Sequence, residues 1–217
     1  MDQKKLDQQS QYWESSFLSK PEMFGLEPSI AAVKALKSFK EQNIKNIVEL
    51  GAGLGRDTVF FAKNSIQVDA LDYSKTSIES ITNKSNKLNL TNFIKPKIFD
   101  IRKRLPFKDS SIEGCFSHML YCMALSNYEL ENLNNEICRI LKPGGINIYT
   151  VRHTNDGDYK NGKHRGEDLY ENDGFIVHFF SKEKVNQLSK GFEVLDIEKF
   201  EEGKFPRKLF LVKNKKN

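Results

Sequence analysis

The chain has 217 residues, 38% of them hydrophobic and 29% charged, with 34 Lys+Arg against 29 Asp+Glu for a net charge of +5. A mean hydropathy of -0.57 and the lack of any run near the roughly 20 apolar residues of a helical crossing exclude a membrane span. Sixteen Phe and seven Tyr exclude a disordered chain, because aromatics in that number need a core to fill.

The length suits one core. Residues 1–16 hold no apolar stretch of the secretory kind. Three cysteines are spaced neither as a zinc knuckle nor as a disulfide framework, so a cytoplasmic protein with reduced thiols and no metal is expected. The only basic cluster is Lys213 to Lys216. Elsewhere the charges alternate in sign, so nucleic acid is not an expected partner.

In chain order, Ser29 to Phe39 has Ile30, Val33, Leu36 and Phe39 at helical spacing behind a Pro-Ser start. A strand over 46–50, a helix over 57–63, a strand over 68–71 and a helix over 76–88 follow. Strands are then expected over 94–99 and 112–117. An amphipathic helix over 128–141 is stopped by Lys142-Pro143-Gly144-Gly145, with a strand over 146–151 behind it. Residues 152–174 are polar and glycine-rich without apolar periodicity, which reads as a long functional loop. A short helix over 181–189 and strands over 192–200 and 208–212, joined by Glu201 to Pro206, close the chain. Alternating strands and helices predict a parallel sheet covered on both faces.

The most informative stretch is Val48-Glu49-Leu50-Gly51-Ala52-Gly53-Leu54-Gly55-Arg56-Asp57. Glycines between a strand and a helix allow positive φ and let a ligand approach the backbone, facing the N–H groups that open the helix. Asp72 ends the next strand, where a carboxylate can accept both hydroxyls of a ribose. The dinucleotide fingerprint places its third glycine five positions after the first; here that position is Arg56, and the glycine comes one residue early at Gly55. Glu49 suits a cationic amino-acid moiety better than a diphosphate.

With these residues the sequence resembles the class I S-adenosylmethionine-dependent methyltransferases. Residues 48–55 are similar to the family's first motif, Ala70-Leu71-Asp72-Tyr73-Ser74 to its second, and Phe99-Asp100-Ile101 to the acid after the third strand. Leu105-Pro106-Phe107 with Ser111-Ile112-Glu113-Gly114 is similar to the approach to the fourth strand, and Leu141 to Gly145 to the turn before the fifth. The Gly55-Arg56-Asp57 continuation and the aromatic N-terminus resemble the thiopurine and tellurite-resistance branch.

The resemblance implies a Rossmann-like three-layer α/β sandwich with a seven-stranded, mostly parallel sheet whose last strand is antiparallel. One domain is expected: an N-terminal helical lid (1–45), a cofactor-binding core (46–151), a substrate-side insertion (152–180), and a closing helix and hairpin (181–217). It further implies S-adenosyl-L-methionine as cofactor, approached by Gly51, Ala52, Gly53, Gly55 and Arg56. Glu49 would meet its amino-acid end, Asp72 the ribose, and Tyr73, Asp100 and Ile101 the adenine, with Ser74 also at the cofactor. Ser117, His118 and Tyr121 would lie near the sulfonium. Where many relatives carry an Asp in the fourth strand, this chain has Gly114-Cys115-Phe116-Ser117.

Methyl transfer is an in-line displacement whose main demand is alignment; a base is needed only when the acceptor arrives protonated. His118 is the best-placed base among His118, His153, His164 and His178, with Tyr121 a second catalytic candidate. Tyr12 and Trp13 are candidates for an aromatic lid that closes over the cofactor and favours its sulfonium, and Arg152, His153, Tyr159 and Arg207 for contacts to the acceptor. The expected activity is methylation of a small molecule (EC 2.1.1 class) by a monomer or homodimer. The alternatives are an RNA or protein methyltransferase using the basic tail, an NAD(P)-dependent oxidoreductase, and a catalytically silent cofactor-binding module.

Overall fold

The computed structural model describes residues 3–203 and 206–217. Two N-terminal helices, α1 (Gln3–Asp7) and α2 (Gln9–Ser19), precede α3 (Ile30–Glu41). There follow β1 (Asn46–Leu50), α4 (Arg56–Lys63), β2 (Gln67–Asp72), α5 (Lys75–Lys87), β3 (Ile94–Ile98), β4 (Ile112–Ser117), α6 (Asn127–Ile140) and β5 (Leu141–His153). The chain then runs through β6 (Lys163–Gly166), β7 (Leu169–Asn172), β8 (Phe175–Phe180), α7 (Lys182–Leu188), β9 (Phe192–Glu202) and β10 (Arg207–Lys216).

Helix boundaries follow local chemistry. The hydroxyls of Ser29, Ser74, Ser126 and Ser181 each accept a backbone N–H at the start of α3, α5, α6 and α7, the ordinary way to satisfy first-turn donors. Glu129 completes a capping box with Ser126. After Ile140 the chain is already extended at Leu141, which pairs with Ile112, and residues 142–145 form a register shift within β5.

The principal sheet has the order β3-β2-β1-β4-β5-β10-β9. β1 to β5 are mutually parallel where they pair, and β10 runs antiparallel between β5 and β9. Successive residues of a strand point to opposite faces, and the two cores divide accordingly. Ile47, Ile148 and Leu211 pack with Phe39 of α3, Phe61 of α4 and Ile81 of α5. Val48, Tyr149 and Val212 pack with Leu133 and Ile137 of α6 and Val185 of α7. This is the expected three-layer Rossmann-like α/β arrangement.

The region expected to be an irregular loop is structured. β6, β7 and β8 form an antiparallel sheet, joined to β5 where Arg152 and His153 pair in parallel with Phe179 and Phe180. Among the described residues the principal sheet thus has the expected seven strands, and β6 to β8 bring the paired strands to ten. Asn172 pairs with Phe175 across Asp173-Gly174, both at positive φ (48° and 84°). That is the two-residue hairpin favoured by the right-handed twist of paired strands.

Candidate active site

The strand order reverses between β1 and β4, and in open α/β sheets the crevice beyond the carboxyl ends of such strands is where ligands bind. A cavity of about 990 Å³ opens there, walled by the glycine turn, the segments after β2, β3 and β4, helix α2, the β6–β8 sheet and the end of β9.

The glycine turn is held as a rigid rim. Gly51 and Ala52 donate their N–H groups to the Leu71 carbonyl. Gly53 donates to Asp72 Oδ2 at 2.8 Å, and its carbonyl accepts the Ser77 hydroxyl. All three glycines have positive φ (68°, 53° and 83°). A Cβ on Gly55 would lie 2.5 Å from Ile81 Cγ1, whereas one on Gly53 would meet only the Phe24 and Phe17 rings, at 3.8 and 4.0 Å. Gly55 is thus required for packing against α5, and Gly53 keeps the cavity side open.

Two buried carboxylates face this rim. Asp72 also accepts the Ser74 N–H at 2.9 Å. Burial raises its pKa to about 6, against the hydrogen bonds from Ser74 and Gly53 that lower it. Glu49 accepts the Thr58 hydroxyl at 2.5 Å; burial first, and the Asp57 carboxylate second, push it well above the usual carboxylate range. A cationic ligand group beside Glu49 would reverse that cost, and hydroxyl donors beside Asp72 would satisfy lone pairs the backbone leaves free. At the third corner, burial would raise Asp100, but hydrogen bonds from Arg102 at 2.7–3.2 Å hold it low. The chemistry and placement of Glu49, Gly53, Asp72 and Asp100 fit a nucleoside carrying an ammonium group.

Several expected residues share the cavity. Glu49, Gly51, Ala52, Gly53, Arg56, Asp72, Tyr73, Asp100, Ile101, His118, Tyr12, Trp13, Arg152 and Arg207 all line it. The Trp13 ring packs against Phe17 and Phe175 with centroids 5.5 and 4.8 Å apart, and Tyr12 meets Phe175 edge-on at 4.5 Å.

Other expectations need correction. Tyr121 is buried, stacked on Tyr149 with ring centroids 4.2 Å apart and in contact with Asn147 (3.3 Å), away from the cavity. Ser117 is fully buried in β4, and Ser74 is spent as the cap of α5. Neither they nor Gly55 line the cavity. His153 faces a separate groove formed with Lys199, Phe200 and Lys208, because successive residues at the end of β5 point to opposite faces. Tyr159 donates to Asp168 at 3.0 Å, outside the cavity. Arg152 reaches the wall, but its guanidinium is bound by Asp156 and Asp158.

The remaining histidines are committed to the fold. His178 is buried between the Leu125 carbonyl and Lys184, and burial, then Lys184, depress its pKa to about 4. His164 contacts the Glu167 carbonyl. His118 has both ring nitrogens occupied: Nδ1 lies 3.0 Å from Thr150 Oγ1 and Nε2 lies 2.8 Å from Glu202 Oε2. Glu202, at the end of β9, is a site residue outside the expected set. Its other oxygen accepts the Ile30 N–H at 3.3 Å and lies 3.9 Å from Arg56. In sequence it is one acid in a charged hairpin, with no signal that the antiparallel return of β10 brings it over the fourth strand.

Residues 47–145 match the family model described as a methyltransferase domain. That match takes in 99 of the 217 residues, just under half of the chain.

The chain is 33% identical over 129 residues to phosphoethanolamine N-methyltransferase 1 of Triticum aestivum, covering 58% of this chain and 22% of that protein. The chain thus spans about a fifth of the length of that curated relative. Among solved structures, the chain is similar to the 1,6-didemethyltoxoflavin-N1-methyltransferase of Burkholderia thailandensis, determined with 1,6-didemethyltoxoflavin and S-adenosylhomocysteine. The TM-score is 0.75 at 15% identity, over 97% of this chain and 90% of that one. TehB of Haemophilus influenzae is similar with a TM-score of 0.68 at 15% identity, over 94% and 67%. At these identities the structural likeness speaks for the fold.

Proposed function

We propose that the protein transfers a methyl group from S-adenosyl-L-methionine to a small-molecule acceptor, in the cytoplasm, as a monomer or homodimer. The observation that carries this reading is the pair of buried carboxylates, Glu49 and Asp72, flanking a glycine rim on one cavity of about 990 Å³. That volume is at the upper end for small-molecule sites, which supports room for a cofactor and a modest acceptor together.

In this reading Glu49 holds the ammonium end, Asp72 the ribose hydroxyls, and Asp100, Ile101 and Tyr73 the base, with Gly51 and Gly53 allowing close approach. When bound, the cofactor supplies a methyl group activated by a positively charged sulfur. The chain's own work is alignment and exclusion of water. Residues 1–45 act as a helical lid, 46–151 as the cofactor core, 152–180 as the acceptor side and 181–217 as the closing unit. Tyr12, Trp13 and Arg207 face the acceptor. His118 turns no unoccupied nitrogen to the cavity in this state, so it orients the site through Thr150 and Glu202 unless an acceptor displaces one of them.

Calorimetric titration with S-adenosylmethionine, S-adenosylhomocysteine and NADH tests the reading. Binding of both sulfur nucleosides and not NADH is expected. Silence from both, in a folded protein, would overturn it; binding of NADH instead would favour an oxidoreductase.

A further inference from the structure

Arg102 follows the adenine-side pair Asp100-Ile101, and its guanidinium serves two parts of the molecule at once. Nε and Nη2 hold the Asp100 carboxylate at 2.7–3.2 Å, and the Arg102 N–H adds a bond to Asp100 Oδ1 at 3.1 Å. Nη1 reaches Asp7, the last residue of α1, at 2.5 Å, and lies 3.7 Å from Glu129 at the start of α6. Glu129 in turn accepts the Gln3 side-chain amide at 3.0 Å. The last residue of α1 is therefore tied directly to Arg102 beside Asp100, and its first residue to Glu129 of α6.

The far end of this N-terminal segment is tied elsewhere. The Gln9 amide bridges the Gly174 carbonyl and the Ile176 N–H along the edge of β8, and the Tyr12 hydroxyl donates to the Asp173 carbonyl. Glu14 accepts the N–H and hydroxyl of Thr76 at the start of α5. Leu6, Asp7, Gln9, Tyr12, Trp13 and Phe17 line the cavity between these anchors. The segment is a strap across the mouth, and Asp7–Arg102 is its link to the nucleoside side. Asp7 is half exposed and Arg102 30% exposed, so the link stands open to water, and its hold depends on the network that orients Arg102 through Asp100 and Glu129.

We propose that Arg102 is a positioning residue that couples cofactor binding to closure of the N-terminal strap. One guanidinium orients Asp100 for the ligand and draws α1 down by Asp7. A ligand that fixes Asp100 fixes the fork, and the fork then holds the strap. Binding and strap order are two readouts of one linkage and must change together. This inference rests on the cofactor assignment above.

The test is calorimetry with S-adenosylhomocysteine and hydrogen exchange over residues 3–19 in the full chain. In the wild type, ligand is expected to slow exchange in this segment. Arg102→Ala should weaken the affinity by about tenfold or more, the size of a lost charge-assisted contact, and abolish the slowing. Asp7→Asn, which leaves the Asp100 fork intact, should abolish the slowing with a smaller loss of affinity, about threefold. A folded Arg102→Ala protein that binds within about twofold of wild type, or an Asp7→Asn protein that keeps the full slowing, would overturn the coupling. If Arg102→Ala fails to fold, Asp7→Asn decides alone. A wild type that does not bind the ligand at all sinks the cofactor assignment instead. The tether is then read from the ligand-free proteins, where Asp7→Asn must exchange faster than wild type in α1 or the link itself is refuted.

Discussion

The Gly53 N–H points at Asp72 Oδ2 from 2.8 Å, so the middle glycine of the turn and the acid at the end of β2 form one structural unit. Removing the carboxylate loosens the turn and, on the proposed cofactor assignment, takes away the ribose acceptor together. Asp72→Ala is expected to weaken S-adenosylmethionine binding at least tenfold, from about 1.5–3 kcal/mol for a charged hydrogen bond. Calorimetry on a protein shown to be folded checks it, and unchanged affinity would remove Asp72 from the site.

The same carboxyl sets a pH dependence. Burial raises Asp72 from 3.8 to about 6, and only the ionised form accepts two hydroxyls. Below about pH 6, affinity should fall by up to about tenfold per pH unit. Between about pH 6 and 4 the folded chain binds this proton more readily than the unfolded chain. The ligand-free protein therefore gains stability from this group as pH falls through that window. Titrations and melts from pH 5 to 8 should thus move in opposite directions; an affinity flat across that range would contradict the assignment.

Gly53 and Gly55 separate binding from packing. Gly55→Ala forces a Cβ to within 2.5 Å of Ile81 at φ +83°, and strain plus overpacking should cost about 2–4 kcal/mol. Thermal melts should show a drop of about 5–15 °C. Gly53→Ala meets no close neighbour and should cost about 1–2 kcal/mol for its left-handed backbone, with its main loss in cofactor affinity. Equal melting temperatures for the two variants would refute the distinction.

Arg152 behaves as part of the fold. Its side chain and that of Asp156 are 7% and 2% exposed, and Asp156 also accepts the Lys208 and Asp158 N–H groups. Arg152→Ala leaves a buried carboxylate without its cation and is expected to cost about 3–5 kcal/mol. Denaturant unfolding measures this; a variant as stable as wild type would return Arg152 to the acceptor-contact candidates.

The chain has a single tryptophan, Trp13, and it stands in the cavity wall among Phe17, Phe24 and Phe175. S-adenosylhomocysteine should therefore change its fluorescence, and Trp13→Phe should remove the signal while leaving calorimetric binding detectable. A silent Trp13 alongside clear calorimetric binding would place the strap out of contact with the ligand.

Much of this protein is legible in its sequence. The strand-turn-helix at 46–63, the acid ending β2, and the Pro-Ser start of α3 are local events, set by residues within a few positions of one another, and sequence carries such information directly. The Asp173-Gly174 hairpin was local too: Asp-Gly between Tyr170-Glu171-Asn172 and Phe175-Ile176-Val177 is a strong turn signal, obscured by the polar residues around it. What only the tertiary structure decided is which side chains meet across the sheet. Tyr121 and His118 are three residues apart, yet one is stacked in the core and the other faces the cavity. His153 and Arg152 are adjacent on one strand and look to opposite faces. Glu202 meets His118, and Arg102 meets Asp7, over separations of 84 and 95 residues. No local propensity encodes such contacts, because they arise from how β10 returns against β5 and how the N-terminal segment crosses the mouth.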